Sequence, residues 1–188
     1  RRVLFRSEKV NPAIVDMGYA KPGQSGPGWL GHRVAKGFLV SSSGRLVTNS
    51  HVVEDNKTMK VVLRDGRVFD ADVLINERRV DLAVLQIRNV GEPLPFLELA
   101  PDDSLTKGDP VLGLGNARSV GHTAHVGLMS SPGDDTPVSQ SRELGQIFIM
   151  PLPQVDIALT NGFSGSPLLD MQGRVVAVTT QGDDSHKV

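Results

Sequence analysis

One serine sits among glycines in "NGFSGSPLLD" (161–170), with Gly162 two positions before Ser164 and Gly165 directly after it. Such a turn can expose a hydroxyl and let the N–H groups of Gly162 and Ser164 converge where a tetrahedral oxyanion would form. Removing one such donor typically costs roughly 2.7–4 kcal/mol of transition-state stabilisation. An alcohol is a poor nucleophile near neutral pH. Ser164 would therefore need a base within hydrogen-bond reach, and an acid to orient that base. His51, between "LVTNS" and Val52-Val53, stands at a strand end and is the candidate base. Asp81 heads the apolar "DLAVLQI", where a carboxylate is partly buried and needs a partner, and it is the candidate orienter. Asp65, Asp70 and Asp72 lie in or beside a hairpin, where solvent-facing carboxylates are ordinary. Glu54 and Asp55 are too near His51 along the chain to be preferred. Each residue also has a plainer reading: an ordinary Gly-Ser turn, a surface or capping histidine, a strand-edge charge. Their conjunction, in the order His, Asp, Ser, points to acyl transfer through a Ser-His-Asp triad and an acyl-enzyme.

Short alternating segments must position these groups. "MKVVLR" (59–64) puts Met59, Val61 and Leu63 on one face. "RVFDADVLI" (67–75) does the same with Phe69, Ala71, Val73 and Ile75. Asp65-Gly66 between them is a hairpin signal, as are Ser43-Gly44 and Gln172-Gly173. No long helical period occurs, and one helical turn is expected near "HVVED" (51–55). "GEPLPFLELAPDDSLTKGD" (91–109) is a polar, proline-bearing crossover between two strand sets. Residues 18–32 and 131–143 read as long polar loops. The pattern predicts an all-β chain of two small barrels: 11–100 carrying His51 and Asp81, and 101–188 carrying Ser164. "RRVLFRS" (1–7) reads as a translated adapter tail, so 1–10 are expected to be a non-native or disordered leader.

The bulk composition narrows the classes. With 39% hydrophobic residues and a net charge of −1, the chain reads as globular, with no basic stripe for nucleic acid. No apolar run approaches the roughly 18–20 residues of a membrane span. The absence of cysteine excludes disulfides and thiolate metal sites. His122 and His125 form an H-x-x-H pair without further ligands, and are expected to face solvent on an extended strand; no metal or other cofactor is expected.

"TNSHVV", "DLAVL" and "NGFSGSPLLDMQGRVVAV" together resemble the trypsin-like serine endopeptidases, specifically the HtrA/Deg branch, from about Asn11 to about Gln181. The resemblance implies two antiparallel six-stranded barrels with the triad His51, Asp81 and Ser164 in the cleft between them. It also implies cleavage of unfolded or misfolded polypeptides, a possible homotrimer, and export to the periplasm or cell envelope. It puts the substrate wall near 158–162 and 178–182, with Ala158, Thr160, Thr179, Thr180 and Gln181 as substrate-binding residues. With no acid there to hold a basic side chain, a small or medium aliphatic P1 residue is expected. Two departures stand out. Phe163 replaces the branch's usual Asn before the serine, so packing must hold the turn, and Ser166 replaces a Gly. The chain also stops at "DDSHKV", short of the branch's next strand and PDZ modules, so the second barrel is expected to lack its closing strand. A catalytically weak or inactive protease-fold scaffold or chaperone is the alternative. A lipase or esterase would need a strand–Ser–helix elbow, which the strand-rich pattern disfavours.

Overall fold

A computed structural model describes residues 10–18, 33–101, 104–115, 123–133, 139–141, 146–148, 153–157 and 163–180. After a single 3-10 turn (Asn11–Ala13), six strands close into an antiparallel barrel: β1 (Ile14–Gly18), β2 (Arg33–Leu39), β3 (Arg45–Thr48), β4 (Thr58–Val62), β5 (Val68–Glu77) and β6 (Leu82–Ile87). Their order around the barrel is β1-β2-β3-β6-β5-β4. Closure is made where Asp16, Met17 and Gly18 pair with Val62, Val61 and Lys60. One helical turn, α1 (Ser50–Val53), joins β3 to β4.

Seven strands follow: β7 (Pro110–Gly115), β8 (Thr123–Ser131), β9 (Ser139–Ser141), β10 (Gln146–Phe148), β11 (Gln154–Val155), β12 (Pro167–Leu169) and β13 (Val175–Val178). Five of them form a sheet in the order β11-β8-β7-β12-β13, while among the described residues β9 and β10 pair only with each other. The fold is thus all-β, with one closed six-stranded barrel and, among the described residues, a second sheet curled into half a barrel. Ser139–Ser141, expected inside a polar loop, are the strand β9.

Local chemistry accounts for most of this. At Asp65-Gly66 the chain reverses with Gly66 at φ 89°, a left-handed conformation that costs glycine little. Asp65 Oδ1 accepts the Arg67 N–H at 3.0 Å and holds the turn. Met59, Val61 and Leu63 are buried as the alternation requires. Ile75 is not: it is 57% exposed, against the expectation that it shares the face of Ala71 and Val73. The β5–β6 ladder slips between Val73 and Ile75, and one extra residue in a period-two strand turns the next side chain outward.

One core runs through both sheets. Leu112, Leu114, Leu169 and Val175 belong to the same buried cluster as the barrel residues Phe38, Leu46, Val61 and Leu85. Their sequence neighbours Val111 and Leu168 point the other way, into a small second core with Met129 and Ile157. Strands β7 and β12 are therefore buried on both faces. The crossover also contributes: Leu94 and Leu97 are buried, and their N–H groups bond Ser42 and Leu39 carbonyls on the barrel. Ala100 N–H then bonds Val175 O on β13. Each fully buried Leu or Val adds roughly 1.5–3 kcal/mol, so this shared core docks the two sheets firmly. None of the helices among the described residues is long and apolar enough to cross a membrane.

Candidate active site

His51 owes its position to its neighbours. Val52 (3% exposed) and Val53 (0%) plug α1 into the barrel core, which leaves the imidazole outside. Asp81 closes the turn before β6 at φ 51°, a left-handed conformation unusual for a non-glycine residue. Asn49 Nδ2 steadies it by donating to Asp81 O at 3.0 Å. So placed, the Asp81 carboxylate receives His51 Nδ1 at 3.0 and 2.9 Å on its two oxygens, and His51 N–H at 3.0 Å. The Thr180 hydroxyl, arriving from the second sheet, donates to Asp81 Oδ2 at 2.5 Å.

These contacts set the electrostatics. The hydrogen bond to Asp81 raises the His51 pKa above its ordinary value; burial opposes this, and the Asp81 and Glu54 charges add to it. For Asp81, burial pushes the pKa up, but the bonds from His51 and Thr180 outweigh it and hold the carboxyl below its usual range. With Nδ1 facing a carboxylate, the proton of neutral His51 resides on Nδ1. Nε2 is then left as the basic atom.

Ser164 lies in a tight turn in which Ser166 N–H bonds Phe163 O at 2.8 Å. Thr179 braces the turn: its hydroxyl contacts Phe163 O at 2.5 Å and Ser166 O at 3.0 Å, and its carbonyl accepts Gly165 N–H at 3.0 Å. The first barrel braces it from the other side, where Lys36 N–H donates to Ser164 O at 3.0 Å. Gly165 is required by both conformation and space. Its φ is 78°, and a Cβ there would lie 2.0 Å from Lys36 O and 2.5 Å from Thr48 Oγ1. Thr48 in turn donates to Lys36 O at 2.7 Å, and it ends the strand that leads into His51. The serine turn thus rests on Lys36 in the middle of β2 and on Thr48, the end of the strand that leads to the histidine.

The structure joins His51 and Asp81 directly. It brings the Ser164 turn against their barrel through backbone contacts, but among the described residues Ser164 Oγ makes no hydrogen bond to His51 or to any other group. Catalytic hydrogen bonds often tighten only when substrate is present. Gly162, Ala158, Thr160 and Gln181 lie outside the described residues. Thr179 is 6% exposed and its hydroxyl is spent inside the serine turn; the Thr180 hydroxyl is spent on Asp81.

Two features escaped sequence reasoning. Lys36, 3% exposed, forms a buried ion pair with Asp16 across the β1–β2 ladder. The signal for it is a lysine between the apolar residues Ala35 and Phe38 of β2. His125, expected to face solvent, is instead partly buried against Phe163, with Nε2 inaccessible. A cavity of about 670 Å³ lined by Leu105, Lys107, Met129 and Val176 involves none of the three candidate catalytic residues. Among the described residues, no cluster of three or more His, Cys, Asp or Glu side chains could hold a metal ion.

Comparison with known proteins gives a consistent picture. A family model described as a trypsin-like peptidase domain matches residues 35–178. A protein of Bartonella henselae named as a probable periplasmic serine endoprotease, DegP-like, is 35% identical over 77% of this chain and 27% of its own length. One of the same name from Chlamydia pneumoniae is 37% identical over 77% of this chain and 28% of its own. Another from Rhizobium meliloti is 33% identical over 84% of this chain and 30% of its own. The chain thus spans about a third or less of the length of these relatives.

Proposed function

This chain belongs to the trypsin-like peptidase family, among relatives of the HtrA/Deg kind, and from that premise we propose that it is the proteolytic part of a serine endopeptidase. Ser164 is the nucleophile, His51 the general acid and base, and Asp81 the orienter. The observation that carries this reading is the clasp of Asp81 on His51: two contacts to Nδ1 and one to the backbone N–H.

The chemistry follows from that clasp. Ser164 Oγ attacks the scissile carbonyl carbon while His51 Nε2 takes its proton. Charge moves to the carbonyl oxygen, which the N–H groups of Gly162 and Ser164 receive. As the tetrahedral species collapses, the C–N bond breaks and Nε2 returns the proton to the departing amine. The acyl group stays on Ser164. Water then repeats the sequence with Nε2 as base, releasing the new carboxyl end and restoring the serine. Asp81 stays ionised throughout and stabilises the imidazolium it faces.

The substrates are unfolded or misfolded polypeptides with a small or medium aliphatic P1 residue, held partly by main-chain pairing along Thr180-Gln181-Gly182. The whole protein works after export, in the periplasm or cell envelope, as a homotrimer. A second reading, a weakly active or inactive peptide-binding scaffold, draws support from a Ser164 hydroxyl that makes no hydrogen bond among the described residues, and from Phe163 before it. A fluorophosphonate probe separates the two. Covalent labelling of the wild-type chain that disappears in Ser164→Ala supports the enzyme. No labelling, together with retained binding of unfolded casein, supports the scaffold.

A further inference from the structure

We infer that His125 is a positioning residue for the nucleophile: its ring clamps Phe163 and thereby holds the turn that presents Ser164. The inference rests on the assignment of Ser164 as nucleophile.

Phe163 immediately precedes Ser164, and its side chain has no polar group with which to fix the turn. Its backbone is held by Ser166 N–H and the Thr179 hydroxyl, both on its carbonyl. Those bonds fix one side of the residue. The other side is held by packing. Phe163 is 2% exposed, and the His125 ring meets it at 5.2 Å between centroids with an interplanar angle of 76°. This is the edge-to-face arrangement in which the positive edge of one ring meets the negative face of the other.

The sheet makes room for the contact. On β8, Ala124, Val126 and Leu128 are exposed, while His125, Gly127 and Met129 share the opposite, covered face. His125 pairs across the ladder with Gly113 on β7, and Gly113 pairs in turn with Leu168 on β12, just beyond the serine turn. With no side chain at Gly113, the histidine ring faces no opposing side chain on the neighbouring strand. At Nε2 the ring is buried without a hydrogen-bond partner among the described residues. A buried polar atom left unpaired destabilises the fold, so what the imidazole contributes here is its ring contact with Phe163.

The test separates ring geometry from bulk and from overall stability. His125→Leu keeps a similar volume without an aromatic edge, and His125→Phe keeps the edge without the buried nitrogen. Each variant is compared with wild type by fluorophosphonate labelling of Ser164 over a range of probe concentrations, and by thermal unfolding. His125→Leu is expected to label about 2–10-fold more slowly at saturating probe, with the half-saturating concentration and melting temperature little changed. His125→Phe is expected to label within about twofold of wild type, with the pH dependence of labelling unmoved. The inference is overturned if His125→Leu labels as fast as wild type, or if His125→Phe is as slow as His125→Leu. It is also overturned if His125→Phe shifts the pH profile, because a titrating imidazole would then be the active feature. Should His125→Leu fail to fold, His125→Met, also without an aromatic ring, takes its place with the same expected and overturning outcomes. Absent labelling of the wild type, or labelling that survives Ser164→Ala, removes the protease assignment and this inference with it. Ser164-dependent labelling that His125→Leu leaves untouched removes this inference alone.

Discussion

The two halves of the site are built differently. The His51–Asp81 half is made largely within one closed barrel. Val52 and Val53 anchor it, Asn49 steadies it, and Asp81 holds its backbone in a left-handed conformation. The Ser164 half sits on a sheet that is open among the described residues, and it borrows its support. Lys36 and Thr48 come from the barrel, Thr179 from the extension of β13, and His125 from β8. The acid–base pair is preset by one unit, whereas the nucleophile is set by docking.

That contrast can be broken at four points. Asp81→Asn attacks the preset half and should have the largest effect, lowering kcat by about 10⁴-fold while leaving the fold intact, measured on fluorescent casein. It also tests a pH prediction. His51 serves as base only when neutral, so activity rises with pH through its pKa, and the raised value puts the acidic limb of kcat/KM above the ordinary ~6.5 of imidazole. Replacing the Asp81 carboxylate weakens its hydrogen bond to the imidazolium, the main cause of the rise, removes the charge that adds to it, and should move that limb to lower pH.

Gly165→Ala attacks the docked half. Strain at φ 78° and a clash with Lys36 O should destabilise the chain by roughly 3–5 kcal/mol and abolish Ser164 labelling, read by urea unfolding and the covalent probe. Asp16→Val removes the carboxylate facing buried Lys36, beside the same contact, and should also cost about 3–5 kcal/mol. If Asp16→Val lowers labelling without changing urea stability, the ion pair acts on the serine turn and not on the fold. At the small end, Ile75→Ser should change stability by no more than about 0.5 kcal/mol, because the β5 slip leaves Ile75 in water.

The same contrast explains what was legible in the sequence. Barrel strands with clean alternation, such as Met59 and Val61, announce their inward face, and Asp-Gly or Ser-Gly pairs mark the reversals. Residue type and chain order suffice to nominate His51, Asp81 and Ser164. Ile75 misleads because a bulge is a property of two paired strands, and one strand's alternation does not contain it. Thr180 and His125 are illegible for a related reason. Their partners, Asp81 and Phe163, lie on other strands or across the sheet interface, and a hydroxyl or imidazole in a strand gives no local sign of which neighbour it meets. Lys36 was also missed, although it carries a local sign: a cation two residues before the buried Phe38, on a strand face that alternation makes apolar.

The hydroxyl of Thr180 reaches over the seam to the carboxylate that governs the imidazole, while Lys36 grips the serine's own carbonyl from the far bank. Separating the lobes by even a few tenths of a nanometre would sever both ties at once. Because one apolar core underlies that seam, heat or denaturant should end hydrolysis in the same transition that melts the strands, with no separate step in which the lobes part.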